Sequence, residues 1–217
     1  NIETIVGSGN ASATDTLNTS SAEATTITVT GANAGNLSGG SVIAFSGIDE
    51  INAQFVPPAP TPLDSSPTGD KLTSGGNNDV DWDLSANGIE IADIEVTGAE
   101  NIEGGSANDN FITDGTYTGS IDGGDGQDSL TAEDDLSNPN DWMFLDTGYS
   151  VDGLSFSNIE TLQGGAGSDN FTISTDITTS TDDTTAITVI NGGGDLDRFI
   201  VSAKAGDLNG EDGNDTL

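Results

Sequence analysis

The 217-residue chain has no cysteine, no histidine and only three basic side chains, Lys71, Arg198 and Lys204, against 37 Asp and Glu. Without cysteine it can form neither disulfides nor thiolate metal sites. Without histidine it cannot assemble a Ser-His-Asp or Cys-His arrangement, and three cations do not furnish an arginine clamp for phosphoryl groups. Lyase or epimerase chemistry on uronates is excluded for the same reason, because basic side chains must stabilise the substrate carboxylate. A glycosidase needs only two carboxylates, yet no acidic pair stands out as a site, so the chain reads as a non-enzyme. A net charge of −34 repels the phosphates of nucleic acid and of anionic lipid, which removes both as partners. No run approaches the roughly 18 apolar residues that cross a bilayer, so no membrane insertion is expected, and no signal peptide is visible. Apolar residues at 32% and aromatics at 5% allow only a thin core of Ile, Val, Leu and Phe between short sheets.

Glycine and aspartate are plentiful instead, and they recur as a phrase. Ser120 to Leu130 reads S-I-D-G-G-D-G-Q-D-S-L, with the core Gly123, Gly124, Gly126, Asp128 and Leu130. Glycines open turn conformations closed to other residues and expose carbonyl oxygens, the aspartate adds a hard anionic oxygen, and the last apolar side chain begins an inward-facing strand. Such a turn suits a cation. Copies stand at Gly104 to Phe111, Gly164 to Phe171, Gly192 to Phe199 and Gly210 to Leu217, with a shortened one at Gly75 to Val80.

The phrase resembles the nonapeptide of RTX (repeats-in-toxin) proteins, whose parallel β-roll binds calcium between stacked turns. The resemblance implies that aspartate carboxylates and backbone carbonyls hold the ion, and that turns on one side recur every two nonapeptides. The copies at Gly104 and Gly123 are 19 residues apart and those at Gly192 and Gly210 are 18 apart, so these pairs are expected to stack. The candidate calcium-site residues are Gly104, Asp109, Gly123, Asp125, Gly126, Asp128, Gly164, Asp169, Gly192, Asp195, Asp197, Asp212 and Asp215. The strongest are the paired acids Asp125 with Asp128, Asp195 with Asp197, and Asp212 with Asp215. The alternative is that these aspartates hydrogen-bond within their own turns and hold no ion. RTX rolls run their nonapeptides back to back, whereas these copies are scattered, which is closer to giant secreted bacterial adhesin-like proteins.

A longer phrase frames the shorter one. Phe156 to Gly164 aligns without gaps on Val96 to Gly104 and on Phe45 to Ala53, and Asn1 to Gly7 matches from the third position, giving periods of 46, 51 and 60 residues. Two or three coils per unit are expected, with period-two alternation throughout. Residues 56–70, with Pro57, Pro58, Pro60, Pro62 and Pro67, read as a surface loop inserted between coils, a hinge or a partner-binding loop. The 41 residues between Gly123 and Gly164 read as about two coils without a glycine-aspartate turn, with an acidic loop from Glu133 to Asp135. Thr26, Thr28 and Thr30 form one strand face, suited to ice or sugar or simply exposed; Trp82 and Trp142 read as sugar-stacking rings or as core.

The expected architecture is therefore all-β, an elongated parallel β-solenoid of the β-helix or β-roll kind with loop insertions, one continuous segment over residues 1–217. It opens on Asn1 and its last phrase stops at Leu217, so a fragment of a longer repeat array is expected. About five calcium ions would offset roughly 10 of its negative charges. The expected role is a structural, calcium-stabilised module of an extracellular or cell-surface bacterial adhesin, filament or surface protein, with carbohydrate or ice binding as the alternative. The resemblance implies type I secretion and folding on meeting calcium outside. The expected partners are calcium ions, neighbouring repeats or end-to-end copies forming a fibre, and surface carbohydrate.

Overall fold

The computed structural model describes residues 4–7, 16–21, 26–31, 34–38, 43–46, 48, 50–55, 71–74, 79–85, 87–92, 94–97, 99–133, 139–178 and 186–217. The proline-rich stretch 56–70, Gly75 to Asn78, Asp134 and Asp135 lie outside these residues, as do the side chains of Thr26 and Thr30. Among the described residues the chain is all-β, without a helix, and every strand belongs to one of two sheets.

In chain order, β1 (Thr4–Val6) lies in the first sheet and β2 (Thr16–Ser21) in the second. Next, β3 (Thr26–Gly31), β4 (Ala34–Ser38) and β5 (Ile43–Ser46) form an antiparallel meander in the first sheet. The chain then crosses to β6 (Glu50–Phe55) and back to β7 (Lys71–Ser74). A second meander, β8 (Asp81–Ser85), β9 (Gly88–Ile91) and β10 (Ile94–Thr97), lies in the second sheet. Single strands then alternate between the sheets as β11 (Asn101–Gly105), β12 (Asn110–Thr113), β13 (Ser120–Gly124) and β14 (Ser129–Ala132). The third meander, β15 (Asp141–Leu145), β16 (Gly148–Val151) and β17 (Leu154–Ser157), returns to the first sheet. Alternation resumes through β18 (Thr161–Gly165), β19 (Asn170–Ile173), β20 (Val189–Gly193), β21 (Arg198–Val201) and β22 (Asp207–Glu211). Outside the meanders the strand pairings are parallel.

The meanders explain the long periods differently from the coils expected. Between β14 and β18 the chain lays down three antiparallel strands in one sheet. The cause is local: Val151-Asp152-Gly153-Leu154 is a two-residue hairpin in which Asp152 (φ 47°) and Gly153 (φ 93°) are both left-handed, the conformation that reverses a twisted strand most tightly. Each meander runs out, back and out again, so its net travel equals that of a single strand.

Alternation of apolar and polar residues builds the core. In β11, β13 and β18 every second side chain points inward, and the sheet stacks these into ladders. In the second sheet Trp82, Phe111, Leu130, Leu162 and Ile190 are in register on adjacent strands, all fully buried. In the first sheet Trp142, Phe171 and Phe199 stack ring on ring, at 5.5 and 4.9 Å between centroids. Trp82 and Trp142 thus fill the core and present no ring face to solvent. Removing the middle ring of that stack would leave a large void between Trp142 and Phe199. Phe171→Ala is expected to lower the unfolding free energy by about 3–5 kcal/mol in urea titrations, and a loss under about 1 kcal/mol would contradict this packing.

Candidate metal centres at the glycine-aspartate turns

The phrases at Gly104, Gly123, Gly164 and Gly192 each span the end of one strand, a turn to the other sheet and the start of the next, and the last, at Gly210, ends in an isolated bridge between Thr216 and Arg198. The second residue of the phrase is left-handed in every described full copy: Gly105 (φ 123°), Gly124 (φ 92°), Gly165 (φ 134°), Gly193 (φ 106°) and, in the last copy, Glu211 (φ 67°). Gly124 must be glycine on a second ground, because a Cβ there would strike the backbone of Gly105 in the adjacent turn. Turns stack that closely because backbone groups bond across them: Asp125 N–H donates to Gly105 O (2.9 Å), Gly194 N–H to Gly165 O (2.9 Å) and Asp212 N–H to Gly193 O (3.0 Å).

The turns form two columns, on opposite edges of the two-sheet body. On the edge where the chain passes from the first sheet to the second stand 106–109 and 125–128. On the other edge stand 166–169, 194–197 and 212–215. Turns 104–109 and 123–128 are neighbours, as are 192–197 and 210–215, the two pairings expected from spacing. Turns 164–169 and 192–197 are neighbours as well, although 28 residues apart, because the link from β19 to β20 is long.

Asp109, Asp128, Asp169 and Asp197 are 1–2% exposed. Each turns its carboxylate toward the previous level of its column, where Oδ1 accepts a backbone N–H. Val80 donates to Asp109 (2.9 Å), Asp109 to Asp128 (2.7 Å), Asn140 to Asp169 (2.9 Å) and Asp169 to Asp197 (2.8 Å). Asp197 N–H donates in turn to the half-buried Asp215 (3.0 Å). The bond from Asp109 or Asp128 therefore goes to the neighbouring turn, not its own. Local turns of the own-residue kind occur elsewhere, at Asp114 with Thr116 and Asp176 with Thr178 (both 2.9 Å). Asp125, Asp195 and Asp212, the first acid of each expected pair, are exposed, whereas their partners Asp128 and Asp197 are buried and Asp215 is half-buried.

The other oxygen distinguishes the buried aspartates. Oδ2 of Asp109 and of Asp128 is buried and accepts no hydrogen bond. A Cβ placed on Gly104 would meet Asp109 Oδ2 together with the carbonyl oxygen of Gly123; one on Gly164 would meet Asp169 Oδ2 and the carbonyl oxygen of Gly192. At successive levels, then, a buried carboxylate oxygen and a carbonyl oxygen from the next turn crowd the bare face of a glycine. Oxygen facing oxygen without a donor is unfavourable unless a proton or cation joins them.

Burial accordingly pushes the Asp109 carboxyl up to about 6, with Asp79 adding to it and the Val80 N–H opposing. Burial likewise pushes Asp128 up to about 7, opposed by the Asp109 N–H and reinforced by Glu160, Asp109 and Asp122. Glu160, only 6% exposed, is a site residue that the glycine-aspartate pattern does not reveal: its Oε2 accepts the N–H of Asp128 at 2.6 Å. The available signal was the acid at the end of Asn158-Ile159-Glu160. Among the described residues no three acidic side chains converge as a metal cluster, so any ion here would draw most of its ligands from carbonyls. Comparison with protein-family models, with curated proteins and with solved structures returns no match.

The raised carboxyls set a direction for metal-free stability. Both folded values lie above the unfolded value of about 4, so between about pH 4 and pH 7 the folded chain binds more protons than the unfolded one, and stability falls as pH rises. In chelator, the melting temperature is expected to drop from pH 5 to pH 8. Asp128→Asn, whose amide can occupy the place of the protonated acid, is expected to melt higher than the parent at pH 8 and to flatten the profile; an equal slope in both proteins would count against this assignment.

Proposed function

We propose that the chain is a segment of a calcium-stabilised parallel β-solenoid whose role is structural, within a large extracellular or cell-surface protein of the bacterial adhesin or filament kind. One observation carries the reading: buried carboxylate oxygens without a hydrogen-bond donor recur in successive turns, each beside a carbonyl of the next. The donor set fits calcium. It is all oxygen, from carboxylates and backbone carbonyls, with no histidine or thiolate to select zinc or copper. The residues that would hold the ions are Asp109, Asp128, Asp169, Asp197 and Asp215, with the carbonyls of the glycine turns above and below them. A bound divalent cation would join a carboxylate to the next turn and so tie each level to its neighbour.

Calcium binding of this kind is coupled to folding. The ligands come together only when two levels are stacked, so ions bind the folded chain in preference to the unfolded one and stabilise it by mass action. A charge of −34 strengthens the coupling, since self-repulsion opposes compaction until cations bind. A chain of this kind would cross a low-calcium compartment unfolded and fold outside, where calcium is plentiful and no disulfide is needed. We infer a non-catalytic module whose partners are calcium, adjoining repeats and whatever surface the longer assembly meets.

Calcium titration against EGTA, followed by far-UV circular dichroism and thermal melting, tests this. Millimolar calcium is expected to raise the β signal or the melting temperature, by at least about 10 °C where several sites fill, with little response to magnesium, which dehydrates reluctantly. A spectrum and melt unchanged by chelator would leave the glycine-aspartate turns as self-sufficient corners and overturn the proposal.

A further inference from the structure

The column that carries Asp109 and Asp128 continues for one more level, where the chain has no glycine-aspartate phrase. Here Asn158-Ile159-Glu160 links β17 to β18, and Glu160 N–H and Thr161 N–H both donate to the carbonyl of Asp128 (3.1 Å each). Three residues reproduce what the longer turn does. Asn158 takes the left-handed conformation (φ 52°) that glycine takes in the phrase. Ile159 points into the core at 1% exposure. Glu160 folds inward to accept the N–H of Asp128, as Asp128 accepts that of Asp109. The extra methylene of glutamate makes up the reach that a shorter link lacks.

The oxygen arrangement is reproduced too. A Cβ on Gly123 would meet Asp128 Oδ2 and the carbonyl oxygen of Asn158, just as one on Gly104 would meet Asp109 Oδ2 and the carbonyl oxygen of Gly123. Asp128 is 1% exposed, and this Oδ2 accepts no hydrogen bond. Asp122 Oδ1 accepts from Asn158 Nδ2 at 2.7 Å and holds the link in place. An oxygen in need of a partner is thus aimed at a link that supplies a carbonyl and a second buried carboxylate.

We propose that Asn158-Ile159-Glu160 is a compact, glycine-free half-site that completes a calcium site with Asp128, Glu160 and the Asn158 carbonyl acting as ligands from the second level. This rests on the calcium reading of the glycine-aspartate turns and extends it to a sequence they do not contain. Among the described residues it is confined to this link, the aligned Gly47 and Asp49 lying outside them. The aligned Gly98-Ala99-Glu100 ends in an exposed glutamate, and its backbone serves the other edge, where Ser120 N–H donates to Glu100 O.

The test is equilibrium dialysis of the 217-residue chain with radiolabelled calcium, on the parent, Glu160→Gln and Glu160→Asp, with circular dichroism of each at saturating calcium. Gln keeps the acceptor for Asp128 N–H and removes only the charge; Asp keeps the charge on a shorter arm. If Glu160 is a ligand, Gln is expected to bind one ion fewer, or to bind it roughly 10-fold more weakly, and to lose more than Asp does. If Glu160 serves only as a hydrogen-bond acceptor, the order reverses and the Gln variant binds as the parent does, which overturns the inference. Should Glu160→Gln fail to fold in calcium, Glu160→Asp decides alone: the parent's ion count at reduced affinity supports the site, and unchanged affinity overturns it. A parent chain that binds no calcium would overturn the reading of the glycine-aspartate turns themselves, a result distinct from a parent that binds and a Gln variant that matches it.

Discussion

The fold depends on a buried carboxylate placed between two levels of backbone. A sheet corner exposes peptide N–H groups that no ladder satisfies, and a buried N–H without an acceptor is costly. The inward-turned aspartate meets that need for the level before it, which is why Asp109, Asp128, Asp169 and Asp197 are buried despite their charge. Its second oxygen then has no donor within the turn. The corner is therefore satisfied on one side and electrostatically incomplete on the other, and its stability depends on what the solvent supplies, a proton or a cation.

The meanders decide where these corners stand. An even number of single strands separates successive meanders, β6 and β7 and then β11 to β14, so the meanders alternate between the sheets. The glycine-aspartate turn one strand after a meander consequently moves from one edge of the body to the other. After β10 it is the turn at 106–109; after β17 it is the turn at 166–169, on the opposite edge. Residues 56–70, one strand after β5, hold in sequence the slot that 166–169 holds one strand after β17. One repeating program of meander, acidic link, strand and turn thus produces two separate columns of carboxylates.

How much of this was legible follows from which interactions are local. The alternation that fills the core, the turn glycines and the stacking of copies 18 or 19 residues apart can be read directly, because period, backbone conformation and spacing are properties of short segments. The pairing of 164–169 with 192–197 could not be read, because the 28-residue spacing reflects a link between β19 and β20 whose length no local rule sets. Glu160 escaped because Phe156 to Gly164 reads as one strand phrase, and only the chain's return beside Asp128 turns Asn158-Ile159-Glu160 into a corner. The meanders left signs, Asp152-Gly153 foremost, but a hairpin signal does not say that the returning strand pairs within its own sheet.

The outer surface repeats the problem of the corners without the burial. Glu95, Glu90 and Asp83 occupy directly opposed positions on β10, β9 and β8, a row of exposed like charges across three adjacent strands. Opposed like charges weaken a sheet, and the ion pair between Lys71 and Glu103, itself partly exposed, offsets little of it. Water and salt screen such a row, so it sets a diffuse repulsion and no particular site. Buried carboxylates are not screened in this way. The same excess of acid therefore acts twice: outside, as a general resistance to compaction that salt relieves, and at the corners, as a local demand that only a bound proton or ion can meet. On the calcium reading, a core this thin makes the second term decisive, since repulsion that a thicker apolar interior would overcome unaided leaves this chain dependent on its corners.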